Sequence, residues 1–247
     1  MEKKVFLIGE NAQIFVDKDR DTNTEFGIIK AEKLSKTKPG RMIKTHKGKK
    51  FFRVEMSTPD LARKVIRLPQ IITLKDMGSI IMYLGIGPKS KILEAGTGSG
   101  LSTCVMGRMA CEGSVTSYEM RKEFLKVAKK NIEMFGLSNV NLVNADIKKG
   151  VKGSEFDAVL LDLPDPWDVI PVVYKKLKIG SRICTYLPSI IQVENTIKRL
   201  NKGLVVERLI ENNEINWKVD VERNILRPES SGILHTGFLL FIRKIGA

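Results

Sequence analysis

From residue 75 onward the apolar positions switch repeatedly between a helical period and short continuous runs, the pattern of helices and strands taking turns. The pattern predicts helices at 75–86, 100–111, 121–135, 168–177 and 189–201, and strands at 91–95, 114–118, 140–143, 156–161 and 181–187. Within 121–135, Phe124, Leu125, Ala128, Ile132 and Phe135 supply the apolar stripe. Such alternation implies a layered α/β domain with a largely parallel sheet. Strand-like stretches at 203–210, 215–221 and 233–243 then close the chain. That run is too strand-rich for pure alternation, so at least one antiparallel strand is expected to finish the sheet.

The first 58 residues read differently. Val5–Ile8, Ala12–Val16 and Lys50–Met56 are short β-prone runs separated by charged, turn-rich segments, which predicts a small β-barrel or compact sheet. Thr58 as N-cap with Pro59 at the first helical position predicts a connecting helix. The chain therefore divides into a small N-terminal β domain over 1–65 and an α/β domain over 66–247, with the boundary inside 57–70.

At 247 residues and 43% hydrophobic content, the chain can bury a substantial core. Its longest apolar runs fall well short of the roughly 20 residues of a membrane-spanning helix, and the N-terminus turns polar too early for a secretory signal. A cytoplasmic protein is expected. Forty-two Lys and Arg against 28 Asp and Glu give a net charge of +14, and residues 30–53 hold ten basic side chains and one Glu. Either this is a solvated lysine-rich loop or it attracts a polyanion; beside a cofactor domain the polyanion reading is the better one. Cys104, Cys111 and Cys184 have no metal-ligand spacing, and with only His46 and His235 to join them no metal site is expected. The cysteines read as small buried side chains, with intersubunit pairing left open.

Four segments carry chemistry. Gly96, Gly98 and Gly100 follow a strand and open a helix, so bare backbone can approach a ligand. Leu101 stands where a dinucleotide fingerprint needs its third glycine, whereas Glu94 completes E-x-G-x-G-x-G, the form used by enzymes that bind S-adenosyl-L-methionine. Glu119 ends the next strand and has the lone pairs to grip both hydroxyls of a ribose. Asp146, after strand 140–143, reads either as the acid that meets an adenine amino group or as an exposed turn residue. Asp162 begins the segment DLPDPW and is delivered at the carboxyl end of a central strand, where open α/β sheets hold their reactions. Trp167 offers a flat surface for loop packing or base stacking.

The whole chain resembles the tRNA adenine-N1 methyltransferases of the T-loop, in their single-chain bacterial and archaeal form. The resemblance rests on PQII at 69–72, Lys75-Asp76, LEAGTGSG at 93–100, SYE at 117–119, DLPDPW at 162–167, YLPSIIQV at 186–193 and HTGFL at 235–239. It implies a Rossmann-like class I S-adenosylmethionine-dependent methyltransferase with a seven-stranded, mostly parallel sheet. It implies cofactor contacts from Gly96, Gly98, Ser99, Gly100, Leu101, Ser102, Glu119, Phe124, Asp146 and Asp162. Asp162 is the implied catalytic residue, and Gln70, Trp167, Tyr186, Gln192, His235 and Thr236 the implied substrate side. A tRNA partner and a homo-oligomer, a tetramer, are implied as well. The chain departs from the family at Thr73-Leu74, Ser189 and Leu234, all near the substrate side.

The implied reaction is transfer of a methyl group to adenine N1, at T-loop position 58 with 57 left open as a second position, by in-line displacement. Asp162 is expected to accept from the adenine N6 amino group as the base becomes cationic. N1 lies on the pairing edge, so the nucleotide must be extracted from the folded tRNA. Competing readings are an isoaspartyl-type protein carboxyl methyltransferase, which leaves the basic N-terminal region and the DLPDPW segment unexplained, and a noncatalytic RNA-binding subunit, which the glycines, Glu119 and Asp162 argue against. His235 is compatible with a substrate contact or with a satisfied core histidine.

Overall fold

The computed structural model describes residues 4–10, 12–68, 70–153, 155–229 and 235–246. The chain forms two units, Met1–Lys64 and Val65–Ala247.

In the first unit, β1 (Lys4–Ile8), β2 (Gln13–Asp17), β3 (Thr22–Thr24) and β4 (Gly27–Ile29) precede a six-residue helix α1 (Ala31–Lys36), then β5 (Met42–Lys44), β6 (Lys50–Val54) and α2 (Thr58–Ala62). The order β2-β1-β6-β5 makes a four-stranded antiparallel sheet, and β3–β4 is a separate hairpin. Val5, Leu7, Val16, Ile29, Leu34, Ile43 and Phe51 form its core. The N-cap of α2 is Ser57 and not Thr58: Ser57 and Asp60 complete a capping box, which satisfies two backbone donors reciprocally. Lys33, Lys38, Arg41, Lys44, Lys47, Lys49 and Lys50 are exposed and enter no ion pair among the described residues.

The second unit runs α3 (Leu74–Leu84), β7 (Lys91–Ala95), α4 (Leu101–Met109), β8 (Ser114–Glu119), α5 (Lys122–Met134), β9 (Val140–Asn144), β10 (Phe156–Leu161), α6 (Ile170–Tyr174), β11 (Leu177–Leu187), α7 (Ile190–Lys198), β12 (Leu204–Glu211), β13 (Trp217–Asp220), β14 (Ile225–Pro228) and β15 (Phe238–Lys244). Its seven-stranded sheet has the order β12-β15-β11-β10-β7-β8-β9. Strands β11 to β9 are parallel, and β15 and β12 close the edge antiparallel. The near-continuous apolar runs of β7 and β10 follow from their central place, buried on both faces.

Two expectations change. Helix 168–177 shrinks to α6 behind a single tight turn at Pro166–Asp168, because Leu177 already pairs with Phe156 and β11 begins there. The stretch 215–221 does not join the main sheet; Trp217–Asp220 pairs with Ile225–Pro228 in a hairpin of its own. The first residues of the expected strand 233–243 lie outside the described residues, as does Pro69.

Candidate active site

The carboxyl ends of β7, β8, β10 and β11 carry Gly96, Glu119, Asp162 and Tyr186. Gly96 (φ +90°) and Gly100 (φ +81°) bracket the turn in the left-handed region, with Gly98 at +55°. Space as well as torsion demands glycine at two of them: a β-carbon on Gly96 would stand 2.1 Å from the Asp162 carbonyl oxygen, and one on Gly100 3.0 Å from the Ala128 Cβ. The Gly96 amide donates to the Tyr118 carbonyl (3.0 Å) and Asp162 donates to that of Ala95 (2.9 Å), so three strand ends are laced together.

Glu94 lies beneath this turn, fully buried, where Ser102 and Thr103 each donate a hydroxyl at 2.5 Å. Burial pushes its carboxyl up. Ser102 therefore points inward to Glu94, and Leu101 is 4% exposed. The Ser99 hydroxyl is buried and finds no partner among the described residues. Asn131 on α5 donates to the Ser99 carbonyl (2.7 Å) and the Ile66 carbonyl (3.1 Å), and accepts from the Ile66 amide (2.9 Å).

Glu119 is 5% exposed. One oxygen accepts from the Arg121 amide (3.1 Å) and Nε (3.0 Å), the other from the Gly98 amide (3.0 Å) and Arg121 Nη2 (3.5 Å). Burial opposes its charge, but these donors outweigh it and hold the carboxyl below its usual value. The same guanidinium lies 3.5 Å over the ring of Phe124. Asp146 accepts from the Lys148 amide at 2.9 Å, a local turn contact.

Asp162 is partly buried and accepts no hydrogen bond among the described residues. Burial, reinforced by the charges of Glu94 and Glu119 and offset in part by Arg121, pushes its carboxyl up to about 7. Helix α7 braces the loop that follows: Gln192 donates to the Pro164 carbonyl at 2.9 Å, and the Arg199 guanidinium sits 5.0 Å from the Trp167 ring centre.

Beyond Tyr186 lies a buried polar hub. Asp76, with no exposed surface, accepts from Lys75 Nζ (2.9 Å), Asn212 Nδ2 (3.1 Å), Thr73 Oγ1 (3.0 Å), Thr236 Oγ1 (2.7 Å) and Tyr186 OH (3.4 Å). Lys75 also reaches the Asn212 carbonyl at 2.8 Å. Despite burial, these donors hold Asp76 below the usual carboxylate value. Burial and the charges of Asp76 and Asp162 push the Tyr186 phenol up to about 12. Its ring lies against Gly237, where a β-carbon would meet Cζ at 2.7 Å. His235 is half-exposed, no core histidine: Nδ1 meets Glu211 at 2.5 Å and Nε2 the Pro188 carbonyl at 3.2 Å. Gln70 is exposed, with φ +60°, and makes no hydrogen bond among the described residues.

Residues 50–222 match the family described as the tRNA methyltransferase complex GCD14 subunit. The chain belongs to this family. It is 30% identical to the tRNA (adenine(57)-N(1)/adenine(58)-N(1))-methyltransferase TrmI of Methanocaldococcus jannaschii, over 97% of this chain and 91% of the relative. Among solved structures, a SAM-dependent O-methyltransferase from Thermotoga maritima is 33% identical with a TM-score of 0.87, covering 99% of this chain and 94% of that one. The tRNA (m1A58) methyltransferase TrmI from Aquifex aeolicus is 27% identical with a TM-score of 0.81, covering 100% and 98%. The fold is thus the Rossmann-like one of S-adenosylmethionine-dependent methyltransferases, carrying a small N-terminal β unit.

Lys75, Asp76 and Asn212 form the hub although 136 positions separate Asp76 from Asn212; only the Lys75-Asp76 pair left a mark in the sequence. Arg121 on Glu119 left none. Cys104 and Cys184 are buried but Cys111 is exposed, and all three are free thiols. No cluster of three metal-ligating side chains occurs among the described residues, and no described helix is long and apolar enough to cross a membrane.

Proposed function

We propose that this protein transfers a methyl group from S-adenosyl-L-methionine to N1 of adenine in the T-loop of tRNA, at position 58. The observation that carries the reading is the juncture of Gly96 and Asp162, which brings a ligand-approachable glycine turn and a carboxyl with a raised pKa onto one edge of the sheet. The donor set suits the cofactor. Glu119 is a ribose acceptor, the buried Ser99 hydroxyl has no partner among the described residues, and three carboxyls, Glu94, Glu119 and Asp162, favour a cationic ligand.

When bound, the cofactor supplies an electrophilic methyl group on a sulfonium, so the protein needs no nucleophile of its own. Such chemistry would form an N1–methyl bond as the sulfur–methyl bond breaks, releasing S-adenosylhomocysteine, neutral at sulfur, and leaving the base cationic, with charge spread toward N6. Asp162, ionised, accepts from the N6 amino group and stabilises that charge. Gln192, Trp167 and Arg199 keep the aspartate loop fixed, and orientation of this kind supplies much of the rate of a displacement. Tyr186 and Thr236 flank the base through the Asp76 hub. Gln70 and His235 stand on the exposed side of the substrate path.

The exposed basic residues of the first unit supply phosphate contacts that offset the cost of extracting the base. Val205, Val206 and Leu209 on β12, with Trp217, Val219 and Leu226 of the hairpin, are exposed apolar residues that support assembly into a homotetramer. A cytoplasmic location goes with this proposal and is compatible with a tRNA substrate.

The test is reaction of an unmodified tRNA transcript with labelled cofactor, followed by nucleoside chromatography. The expected product is 1-methyladenosine. A methylated ribose oxygen instead would favour the oxygen-acceptor chemistry named for the Thermotoga relative; no methylation by folded, cofactor-binding protein would overturn the proposal.

A further inference from the structure

A carboxylate offers about four lone-pair positions, and all four of Glu119 are engaged. The Gly98 and Arg121 amides take one on each oxygen, and these are fixed by the backbone. The Arg121 guanidinium takes the other on each, through Nε at 3.0 Å and Nη2 at 3.5 Å. A ribose diol gripping Glu119 needs those same two positions. The guanidinium also covers a face of Phe124 at 3.5 Å. Ribose and guanidinium cannot both be held.

We infer that Arg121 is an internal competitor for the cofactor's adenosine half, displaced from Glu119 and Phe124 each time the cofactor binds and returning when the product leaves. The inference rests on the cofactor reading above. Its geometry permits exchange at small cost. The Arg121 side chain is 54% exposed while Glu119 is 5% exposed, so the guanidinium can swing into solvent while the carboxylate stays in place. The electrostatics fit the exchange too. Glu94, Glu119 and Asp162 crowd three acids together, and Arg121 is the cation beside them. A sulfonium ligand brings a replacement cation to that cluster. The demethylated product, neutral at sulfur, does not. Arg121 therefore competes most effectively at the stage where the product must depart.

Adenosine, uncharged and carrying only base and ribose, separates displacement from charge attraction. The test is calorimetric titration of the full chain at pH 8 with adenosine, S-adenosylmethionine and S-adenosylhomocysteine, for wild type, Arg121→Met and Arg121→Lys. Methionine keeps apolar cover on Phe124 without the guanidinium; lysine keeps charge without the two-pronged grip. Arg121→Met is expected to tighten adenosine and S-adenosylhomocysteine by roughly five- to tenfold, the size of a half-exposed ion pair plus a cation–π contact. Arg121→Lys should show a smaller gain, and product inhibition should deepen by the same factors. Unchanged or weaker binding of adenosine to both variants, with wild type binding normally, overturns the inference alone. Wild type that binds none of the three ligands overturns the cofactor reading and this inference with it.

Discussion

Gly96 and Asp162 meet at the level of their backbones, with room for a hydrogen and nothing larger: a β-carbon at Gly96 would lie 2.1 Å from the Asp162 carbonyl oxygen. Gly96→Ala must therefore part β7 from β10 as well as strain φ at +90°. Gly136, at φ +67° with open space around it, isolates the torsional cost. Gly136→Ala is expected to cost about 1 kcal/mol, or roughly 2–4 °C in Tm. Gly96→Ala should cost several times that and weaken cofactor binding more than about tenfold. Thermal melts and calorimetry of both variants check this, and equal losses would mean that the contact with Asp162 has no weight.

Asp162 trades stability for chemistry. Its carboxyl titrates at about 7 in the folded chain against an ordinary 3.8. The folded state thus binds the proton more tightly, and a stability penalty grows as pH rises from about 4 through about 7. Asp162→Asn should raise Tm at pH 8, with the gain vanishing below about pH 4, while methyl transfer falls by about a hundredfold or more. Wild-type activity should rise through an ionisation near 7. An Asn variant with full activity would remove Asp162 from the mechanism.

The Asp76 hub predicts a different signature. Asp76 has no exposed surface and Lys75 is 11% exposed, so Asp76→Ala leaves an ammonium buried without its counter-charge. A loss of about 3–5 kcal/mol is expected. Thr236→Val removes a single hydroxyl and should cost about 1–2 kcal/mol. Because the folded pKa of Asp76 is lowered, the hub's contribution is present above the ordinary 3.8 and is lost as pH falls through the folded value. Denaturant melts of wild type and both variants across the acid range measure it.

His235 faces an acceptor on each ring nitrogen, the Glu211 carboxylate and the Pro188 carbonyl, and only the imidazolium can donate to both. The Glu211 hydrogen bond raises its pKa above the ordinary 6.5. Its contribution is fully present below about 6.5 and declines as pH rises through the folded value. An NMR titration should show the shifted midpoint. The Tm difference between wild type and His235→Ala should shrink from pH 6 to pH 9, and a difference that does not change with pH would argue for neutral packing.

The parts legible in the sequence are those built from neighbours along the chain. Strands β7 and β10 announced themselves because central parallel strands are buried on both faces and read as unbroken apolar runs. The glycine turn was legible because strand, glycines and helix are contiguous. Helix α6 was overdrawn because Leu177 has no local sign that it pairs with Phe156. The hairpin of Trp217 and Pro228 looked like one strand because its second arm is short and half polar. The site was legible where a single residue sits at a strand end, as with Glu119 and Asp162. It was hidden where partners come from distant segments: Asp76 and Thr236 were named separately, but nothing beside either showed that they meet each other and Asn212.

Asn131 decides where this chain can be shortened. Two of its three hydrogen bonds go to Ile66, and the third to Ser99 within the glycine turn. A chain beginning at Val65 keeps all three. One beginning at Arg67 strips two hydrogen bonds from an amide that is 1% exposed, and the side chain that holds the Ser99 carbonyl loses its own anchor. A methyltransferase unit cut two residues too late would lose cofactor affinity through a residue that touches no cofactor.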